Sequence, residues 1–293
     1  KFLFPINFFR VLYLILKSFF LLKNEKIKKM FCTGGYMSLP LILAARILGI
    51  SIYLIEPNQV LGRANRFFLK FCKKIFCYSD EIKNFPKQYK DKAITIRPLV
   101  KKQIYELSNR ERIKQKFTIL IVGGSQGAEI FDNSIKDKIL KIAKKSPLRV
   151  IHQTNKKNYL FLSDFYTKKN IENKIFTFDK NFANLMHESD LCITRAGAST
   201  LAELSVLNIP FIAIPLPTSK DNHQFENANF YKRKDCCWLI EQNNFEKKIE
   251  EALIEIFEKK SVFFKKKENL KKLNHQNTWI NVNQKILGIV NEN

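Results

Sequence analysis

Cysteine and histidine are scarce in this sequence and are not grouped. Its 293 residues include six cysteines, none in a C-x-x-C pair, and four histidines that are far apart. None of these histidines has a Cys or carboxylate partner at the spacing of metal ligands. These gaps exclude a zinc module and a disulfide framework. We therefore expect no metal, no cofactor, thiols that behave as small buried apolar groups, and a reducing, cytoplasmic setting.

Acidic residues are few relative to basic ones. The chain has 51 Lys and Arg residues against 27 Asp and Glu residues, a formal net charge of +24. Such an excess favours anionic partners, namely phosphorylated substrates, anionic lipid headgroups or nucleic acid. The alternative is that lysine simply fills solvated positions. Because the lysines form no single basic arm and no nucleic-acid module is recognised, we expect no nucleic-acid partner.

The apolar segment near the start, residues 6 to 22, is interrupted by charged residues. Arg10 and Lys17 break it, whereas a membrane span needs about 20 predominantly apolar residues. The sequence begins at Lys1, and no small-residue cleavage site follows the segment, which argues against a signal peptide. Three interpretations stay open: a helix packed on the core, a helix lying in a membrane interface, and a true span.

Short apolar runs alternate with amphipathic segments along most of the chain. The pattern predicts about four strands before residue 100 and about six after it, with helices between them. Such alternation implies right-handed βαβ units and parallel sheets, hence an α/β fold with two doubly wound domains. The polar junction lies near residues 98 to 115. The predicted parts are residues 1–100, a first domain without its N-terminal strands; residues 101–270; and a C-terminal helix, 271–293, that packs back on the first domain.

Two predicted strands end in glycine turns that open helices. The first turn, at residues 123–127, lacks the Lys of a P-loop and the spacing of a dinucleotide loop. The second begins at Gly197, where the free N–H groups and the dipole of a helix start suit a pyrophosphate. Glu203, further along that helix, suits two ribose hydroxyls. In the alternative interpretation Ser199 is a plain N-cap and Glu203 is a solvated helix residue.

A third polar cluster, DNHQFENA at residues 221–228, follows a predicted strand that ends in PLP. Asp221, His223, Gln224 and Asn227 all carry hydrogen-bonding groups. Amide side chains such as these suit the hydroxyls of a sugar. The alternative is a polar loop that caps a helix.

Six segments carry a resemblance to a known family. They are GGYMSLP (34–40), EPNQVLGRANRF (56–67), ILIVGGSQGA (119–128), IHQT (151–154), TRAGASTLAEL (194–204) and DNHQFENA (221–228), in this order and at the family's spacing. Over nearly its whole length the chain resembles the MurG family of peptidoglycan N-acetylglucosaminyltransferases. The resemblance implies a GT-B fold, in which two Rossmann-like domains face a cleft.

The resemblance also implies an activity. Members of the family move N-acetylglucosamine from UDP to the muramoyl sugar of undecaprenyl-linked lipid I, giving lipid II for the cell wall, on which cell shape and division depend. The transfer inverts the sugar carbon, needs no obligatory metal, and occurs at the cytoplasmic face of the plasma membrane on a peripherally bound enzyme. The helix at 6–22 would contact an anionic membrane surface.

Site residues follow from the same resemblance. The acceptor side would be lined by Gly34, Gly35 and Tyr36. The implied donor-binding residues are Asn58, Ser125, Gln126, Asp179, Ala198, Ser199, Thr200, Leu201, Ala202, Glu203 and Gln224.

The sequence departs from the family pattern in several places. The glycine-rich loop GGTGGH, whose His is the favoured general base, is absent, so the chain resembles an N-terminally truncated member and its catalytic residue is unassigned. Val100 replaces the Arg that usually reaches the phosphate, with Arg97 as a candidate substitute. Asp179 replaces an apolar residue beside the uracil. Arg195 has either a phosphate role or a structural salt bridge.

Two other functions stay open at the sequence level. One is a UDP-sugar transferase that acts on another glycolipid. The other is a non-catalytic, membrane-associated protein that binds UDP-sugars. Donor selectivity separates the first from the family activity, and the presence or absence of a catalytic base separates the second.

Overall fold

The computed structural model describes residues 3–111, 116–123 and 129–292, with side chains from residue 9 onward. Two compact units divide the chain between Arg97 and Pro98. This division lies three residues before the boundary expected from the sequence. Both units are parallel-sheet α/β structures, so the predicted fold class is confirmed.

The first unit is built on a parallel sheet whose four strands, among the described residues, pair in the order β1-β2-β3-β4. Lys29 lies opposite Ser51, and Tyr53 lies opposite Lys74. Strand β2 is largely buried, as expected when helices cover both faces of a parallel sheet. The elements are α1 (Leu3–Asn24), β1 (Lys29–Cys32), α2 (Leu39–Ile47), β2 (Ser51–Glu56), α3 (Arg63–Phe68), β3 (Lys74–Cys77) and β4 (Ala93–Thr95).

Helix α1 is covered on one face only. Leu22 is buried and Phe19 packs on the core of the first unit. The core interpretation therefore accounts for one face, and the opposite face is apolar but open. The exposed apolar side chains are Phe9, Leu12, Tyr13, Leu16, Phe20 and Leu21.

None of the helices in the described part of the chain is both long enough and apolar enough to cross a membrane.

The second unit contains six parallel strands in the order β10-β9-β8-β5-β6-β7. From β5 the chain winds outward through β6 and β7, and then in the opposite direction through β8, β9 and β10. The switch point therefore lies between β5 and β8, where ligands of doubly wound sheets bind. The strands are β5 (Phe117–Val122), β6 (Leu148–Gln153), β7 (Glu172–Phe176), β8 (Leu191–Thr194), β9 (Phe211–Ala213) and β10 (Cys237–Leu239).

The helices of the second unit bury one stripe each. On the helix Phe245–Glu258, apolar residues at helical spacing such as Phe245, Ile249 and Leu253 enter the core beside the strands. The helices are α4 (Lys102–Ser108), α5 (Glu129–Ala143), α6 (Tyr159–Lys168), α7 (Phe182–Glu188), α8 (Ala198–Val206), α9 (His223–Arg233), α10 (Phe245–Glu258), α11 (Lys260–Leu273) and α12 (Trp279–Glu292).

The polar junction and the C-terminus differ from the expected outline. The junction contains a short helix, α4, because Ile104, Tyr105 and Leu107 are buried on one side of it. The expected C-terminal helix begins at Trp279 and not at residue 271, because the amide of Asn274 ends α11 by donating to the backbone oxygen of Ser205 at 2.9 Å. The packing of this helix on the first domain stays a prediction.

The cysteines behave as expected from their apolar surroundings. All six are free thiols, and all but the half-buried Cys32 are buried. Burial raises the pKa of the Cys72 thiol to about 11 and that of Cys77 to about 12. Both thiols are therefore protonated near neutral pH.

Candidate functional site

A cavity of about 840 Å³ lies at the carboxyl edge of the second sheet. Gly123, after β5, and Thr194, at the end of β8, place it at the switch point. The end of β6, the loops after β7 and β9, and the start of α4 complete its wall. Among the predicted site residues, those that line this cavity are Asp179, Thr200, Glu203 and Gln224.

The start of α8 faces this cavity without a side-chain cap. Gly197 is the N-cap, and a Cβ added there would meet nothing within 4 Å. The first intrahelical bond runs from the N–H of Leu201 to the Gly197 oxygen at 3.0 Å. The N–H groups of the three preceding residues thus have no partner inside the helix, as at any helix start. A helix start of this kind, with its dipole, is suited to an anion.

Three residues predicted on α8 need closer placement. Ser199 is exposed and is the second residue of the helix, so its interpretation as the N-cap is wrong; Gly197 holds that position. The side chains of Leu201 and Ala202 are buried in the core. Neither of these two residues lines the cavity.

Glu203 lies one turn beyond this helix start, in the wall of the cavity. It is half-buried, so its interpretation as a solvated helix residue is wrong. Burial raises the pKa of its carboxyl above the ordinary value, and the nearby charge of Lys101 lowers the pKa in part. A carboxylate held at the edge of water in this way gains from hydrogen-bond donors such as sugar hydroxyls.

Helix α9 braces the neighbouring turns. The Gln224 Oε1 accepts a hydrogen bond from the Leu216 N–H at 2.9 Å, and no acceptor for its amide nitrogen occurs in the described ranges. Gln224 can therefore donate into the cavity. Asn227 is buried and donates to the Ala196 oxygen at 3.1 Å. Its suggested role toward sugar hydroxyls is wrong, because its amide fixes the turn that precedes α8.

Arg195 also holds this turn. Its Nη1 donates to the oxygens of Ile214 at 3.2 Å and Pro215 at 3.4 Å, and its guanidinium carbon lies 5.2 Å from the Phe131 ring centroid. Burial lowers the pKa of the guanidinium. Among the described residues, Arg195 contacts carbonyls and a ring, and not the carboxylate expected of a structural salt bridge. It still lines the cavity.

The turn after β7 forms the opposite end of the wall. The Asp179 carboxylate lies 2.9 Å from Lys174 Nζ and accepts the Asn181 N–H at 2.7 Å. The hydrogen bond from Lys174 contributes most to lowering the pKa of Asp179. Sequence reasoning missed Phe178, which lines the cavity with 78% of its surface exposed. Ser125 and Gln126, predicted donor-binding residues, lie outside the described residues.

A buried polar network lies beneath the β6 end of the cavity. His152 Nε2 is 3.2 Å from Asp132 Oδ1, and Asp132 Oδ2 accepts from Thr154 Oγ1 and Asn158 Nδ2, both at 2.7 Å. Burial lowers the pKa of His152, and Asp132 opposes that shift. Burial acts to raise the pKa of Asp132, but the hydrogen bonds from His152, Asn158 and Thr154 outweigh it and lower that pKa. The sequence showed His152 without a carboxylate partner, and the fold supplies one.

The predicted acceptor-side turn follows β1. Gly34 has a φ of 86°, and a Cβ there would lie 2.7 Å from Asn65 Oδ1, so glycine is required on both counts. The Ser38 hydroxyl donates to the Gly35 oxygen at 2.6 Å. Tyr36 is 68% exposed. The turn thus presents an open aromatic ring on a fixed backbone.

Glu56 organises the next turn of the first unit. Its buried carboxylate accepts four hydrogen bonds, from the N–H and amide of Asn58 at 3.1 and 3.0 Å, from the Gly62 N–H at 2.8 Å, and from the Asn65 amide at 3.0 Å. The Asn58 amide, a predicted donor ligand, therefore serves the turn itself. Sequence reasoning missed this role of Glu56, although a lone acid at the end of a buried strand was a signal for it.

Within the described ranges, no three His, Cys, Asp or Glu side chains come together as they would around a metal ion.

Two protein-family models match the chain, one in each unit. The chain matches the glycosyltransferase family 28 N-terminal domain over residues 2–77 and the family 28 C-terminal domain over residues 118–279.

Relatives of known name agree with this match. A UDP-N-acetylglucosamine–N-acetylmuramyl-(pentapeptide) pyrophosphoryl-undecaprenol N-acetylglucosamine transferase of Pelagibacter ubique is 47% identical over 99% of this chain and 82% of its own length. The enzyme of the same name from Rickettsia massiliae is 34% identical over 88% of this chain and 76% of its own length.

Solved structures share the fold. The crystal structure of Acinetobacter baumannii MurG has a TM-score of 0.76 at 23% identity, covering 97% of this chain and 80% of that one. UDP-GlcNAc 2-epimerase from Neisseria meningitidis, solved with UDP-GlcNAc bound, has a TM-score of 0.67 at 16% identity, covering 97% and 81%.

Proposed function

Since the chain belongs to glycosyltransferase family 28, and within it to the MurG N-acetylglucosaminyltransferases, we propose that it transfers N-acetylglucosamine from UDP-N-acetylglucosamine to lipid I, the undecaprenyl-pyrophosphoryl muramoyl-pentapeptide, giving lipid II. The observation that carries this conclusion is the 47% identity to the Pelagibacter transferase over 99% of the chain. The cavity at the switch point of the second sheet supplies matching chemistry.

The donor is proposed to bind along α8. Its diphosphate meets the free N–H groups of Ala198, Ser199 and Thr200, and its ribose hydroxyls donate to Glu203. The Gln224 amide donates to a hydroxyl of the transferred sugar. The turn at Phe178 and Asp179 borders the nucleobase. Ser125, Gln126 and Asn58 stay predictions as further donor contacts.

The transfer proceeds by displacement with inversion. The acceptor hydroxyl forms a bond to the anomeric carbon as the bond from that carbon to the phosphate oxygen breaks, and the hydroxyl proton passes to a base. UDP leaves with the electron pair of the broken bond and gains negative charge. The start of α8 stabilises that charge, because its N–H groups are already oriented toward the phosphate. The described residues leave the base unassigned.

The acceptor carries an undecaprenyl tail, so the protein has to work at a membrane. The open face of α1 is suited to this contact, because apolar side chains such as Leu16 and Phe20 lie on the same helix as Arg10 and Lys17. Apolar burial and attraction to anionic lipid add in such a helix. We place the protein peripherally on the cytoplasmic face, with Gly34, Gly35 and Tyr36 toward the acceptor.

A product assay tests the proposal. The chain is incubated with UDP-N-acetylglucosamine and lipid I in anionic vesicles, and the lipid is analysed by mass spectrometry. The expected result is a gain of one N-acetylhexosamine on the acceptor, reduced in the Leu16→Gln/Phe20→Gln variant when vesicles are used and restored in detergent. A gain only with UDP-glucose, or only on another glycolipid, would contradict the assignment.

A further inference from the structure

The cavity of the second unit contains more positive than negative side chains. Its basic residues are Lys101, Lys180, Arg195 and Lys220, and its acids are Asp179, already paired with Lys174, and Glu203. The donor diphosphate is anionic, and the UDP product carries more charge than the donor. Backbone N–H groups at the α8 start supply only partial charge. A full cation beside the phosphates is therefore expected, and the question is which residue supplies it.

Position in the sheet excludes one of the four candidates, and existing contacts exclude a second. Lys180 follows β7, which is three strands from β8 in the order β8-β5-β6-β7. Three strand spacings are about 14 Å, so Lys180 belongs to the far end of the cavity from α8. Arg195 lies beside α8, but its guanidinium is directed to two carbonyls and the Phe131 ring. Lys101 and Lys220 remain.

The backbone around Lys101 is fixed by Tyr105. The Tyr105 hydroxyl donates to the Pro98 oxygen at 2.6 Å and accepts the Val100 N–H at 3.4 Å. Trp279 packs edge-on against the Tyr105 ring, with centroids 6.1 Å apart. Val100 is buried under this clamp, with 8% of its surface exposed. The next side chain, that of Lys101, is then presented at the cavity.

Lys101 also lies on the α8 side of the cavity. It directly precedes α4, which contacts α8, and both Lys101 and Glu203 line the cavity. The charge of Lys101 also lowers the pKa of the Glu203 carboxyl in part. A lysine ammonium on a flexible stem can turn from a carboxylate to a phosphate oxygen without moving the backbone. Arg97, the substitute considered from the sequence, belongs to the first unit.

We propose that Lys101 is the phosphate-binding cation of the donor site: its ammonium, at the cavity that Glu203 also lines, donates to the diphosphate when the nucleotide binds. This inference rests on the proposed function. It adds Lys101, the residue that follows the buried Val100, to the proposed donor contacts. A Lys101 ammonium bound to the diphosphate also lies where negative charge grows as UDP leaves.

Calorimetric titration with uridine, UMP and UDP tests the role. The variants are Lys101→Met and Lys101→Arg, and the matched control is Lys102→Met. The Lys102 side chain is 65% exposed, and its Nζ lies 3.8 Å from Glu106 Oε1. We expect Lys101→Met to weaken UDP binding about ten-fold, the scale of one hydrogen bond to a charged group, and to leave uridine binding unchanged. Lys101→Arg restores most of the affinity, and Lys102→Met has no effect.

The outcomes separate this inference from the function beneath it. If the unmodified chain binds no UDP while folded, the proposed function fails. If it binds UDP and Lys101→Met binds it equally well, or loses uridine affinity in the same proportion, the role of Lys101 is overturned. A ten-fold loss in Lys220→Met with none in Lys101→Met would also overturn it and assign the cation to Lys220.

Discussion

The two sheets both end in glycine turns, yet the polar groups beyond those turns are used in different ways. In the first unit, the Glu56 carboxylate is surrounded by four donors from its own turn. In the second unit, the start of α8 and Glu203 face a cavity. The acid at the edge of the first sheet is therefore hydrogen-bonded within the protein, whereas the polar groups at the edge of the second sheet line a cavity. Turns of similar composition can therefore have different roles. The hydrogen-bond partners of the acid beside each turn, Glu56 or Glu203, distinguish the two cases.

The largest effect is expected at the satisfied edge. Glu56→Ala leaves buried donors without an acceptor and should lower the stability of the first unit by about 3–5 kcal/mol, the scale for a buried charged group losing its partner network. Amide hydrogen exchange over residues 51–65 measures this locally. The control Glu25→Ala makes the same charge change at an exposed site.

This variant also tests the contrast itself. UDP affinity measured at the second unit should be unchanged in Glu56→Ala wherever the protein stays folded. Fast amide exchange over residues 51–65 in the Glu25→Ala control, or unchanged protection there in Glu56→Ala, would contradict the contrast between the carboxyl edges of the two sheets.

A smaller effect is expected at the open edge. Glu203→Ala should weaken donor binding by about 1–3 kcal/mol, because ribose hydroxyls lose their acceptor, with little loss of stability. Burial raises the pKa of Glu203 above 4.5, so the unmodified protein should lose donor affinity on acidification at a higher pH than an ordinary Glu would. Glu203→Gln should flatten this dependence. Calorimetry across pH measures it, and unchanged affinity in Glu203→Ala would defeat the ribose assignment.

The smallest effect concerns the buried network beneath the cavity. Burial lowers the pKa of His152 below 6.5. Just below pH 6.5, His152 is therefore protonated in the unfolded chain and neutral in the folded unit. Its contribution to stability is therefore complete above pH 6.5 and falls as pH decreases, by up to about 1.4 kcal/mol per pH unit. Trp238 and Trp279, both in the second unit, report its unfolding by fluorescence.

The variant His152→Gln should remove this slope between pH 6.5 and pH 5, whatever its effect on absolute stability. His275→Gln, at an exposed position, should keep the slope. Equal slopes in both variants would show that His152 is not kept neutral by burial.

Much of the fold was predictable because its signals are local. Runs such as FTILIV (residues 117–122) and the glycines that follow them indicate buried parallel strands and their turns. Helix α4 was not predicted, because a seven-residue helix in a charged stretch leaves only Ile104, Tyr105 and Leu107 as signal. The break between α11 and α12 depends on Asn274 meeting Ser205, which is distant in the sequence.

The candidate site was predictable where one helix carries it. Gly197 to Glu203 form a single local unit, and the structure places its start and Glu203 at one cavity. Residues whose roles depend on other elements were missed or misassigned. Asn227 looked like a sugar ligand but braces Ala196, and Lys101 was one lysine among many until the Tyr105 clamp placed it. Such roles follow from tertiary contacts and leave no periodic pattern.

The central claim is that the carboxyl edge of the second sheet binds a UDP-sugar. Its most direct test is a calorimetric titration of the chain with UDP-N-acetylglucosamine, with UDP-glucose as the control. The account predicts saturable binding that prefers UDP-N-acetylglucosamine and weakens in Glu203→Ala. Absence of binding to a chain shown by its tryptophan fluorescence to be folded would contradict it.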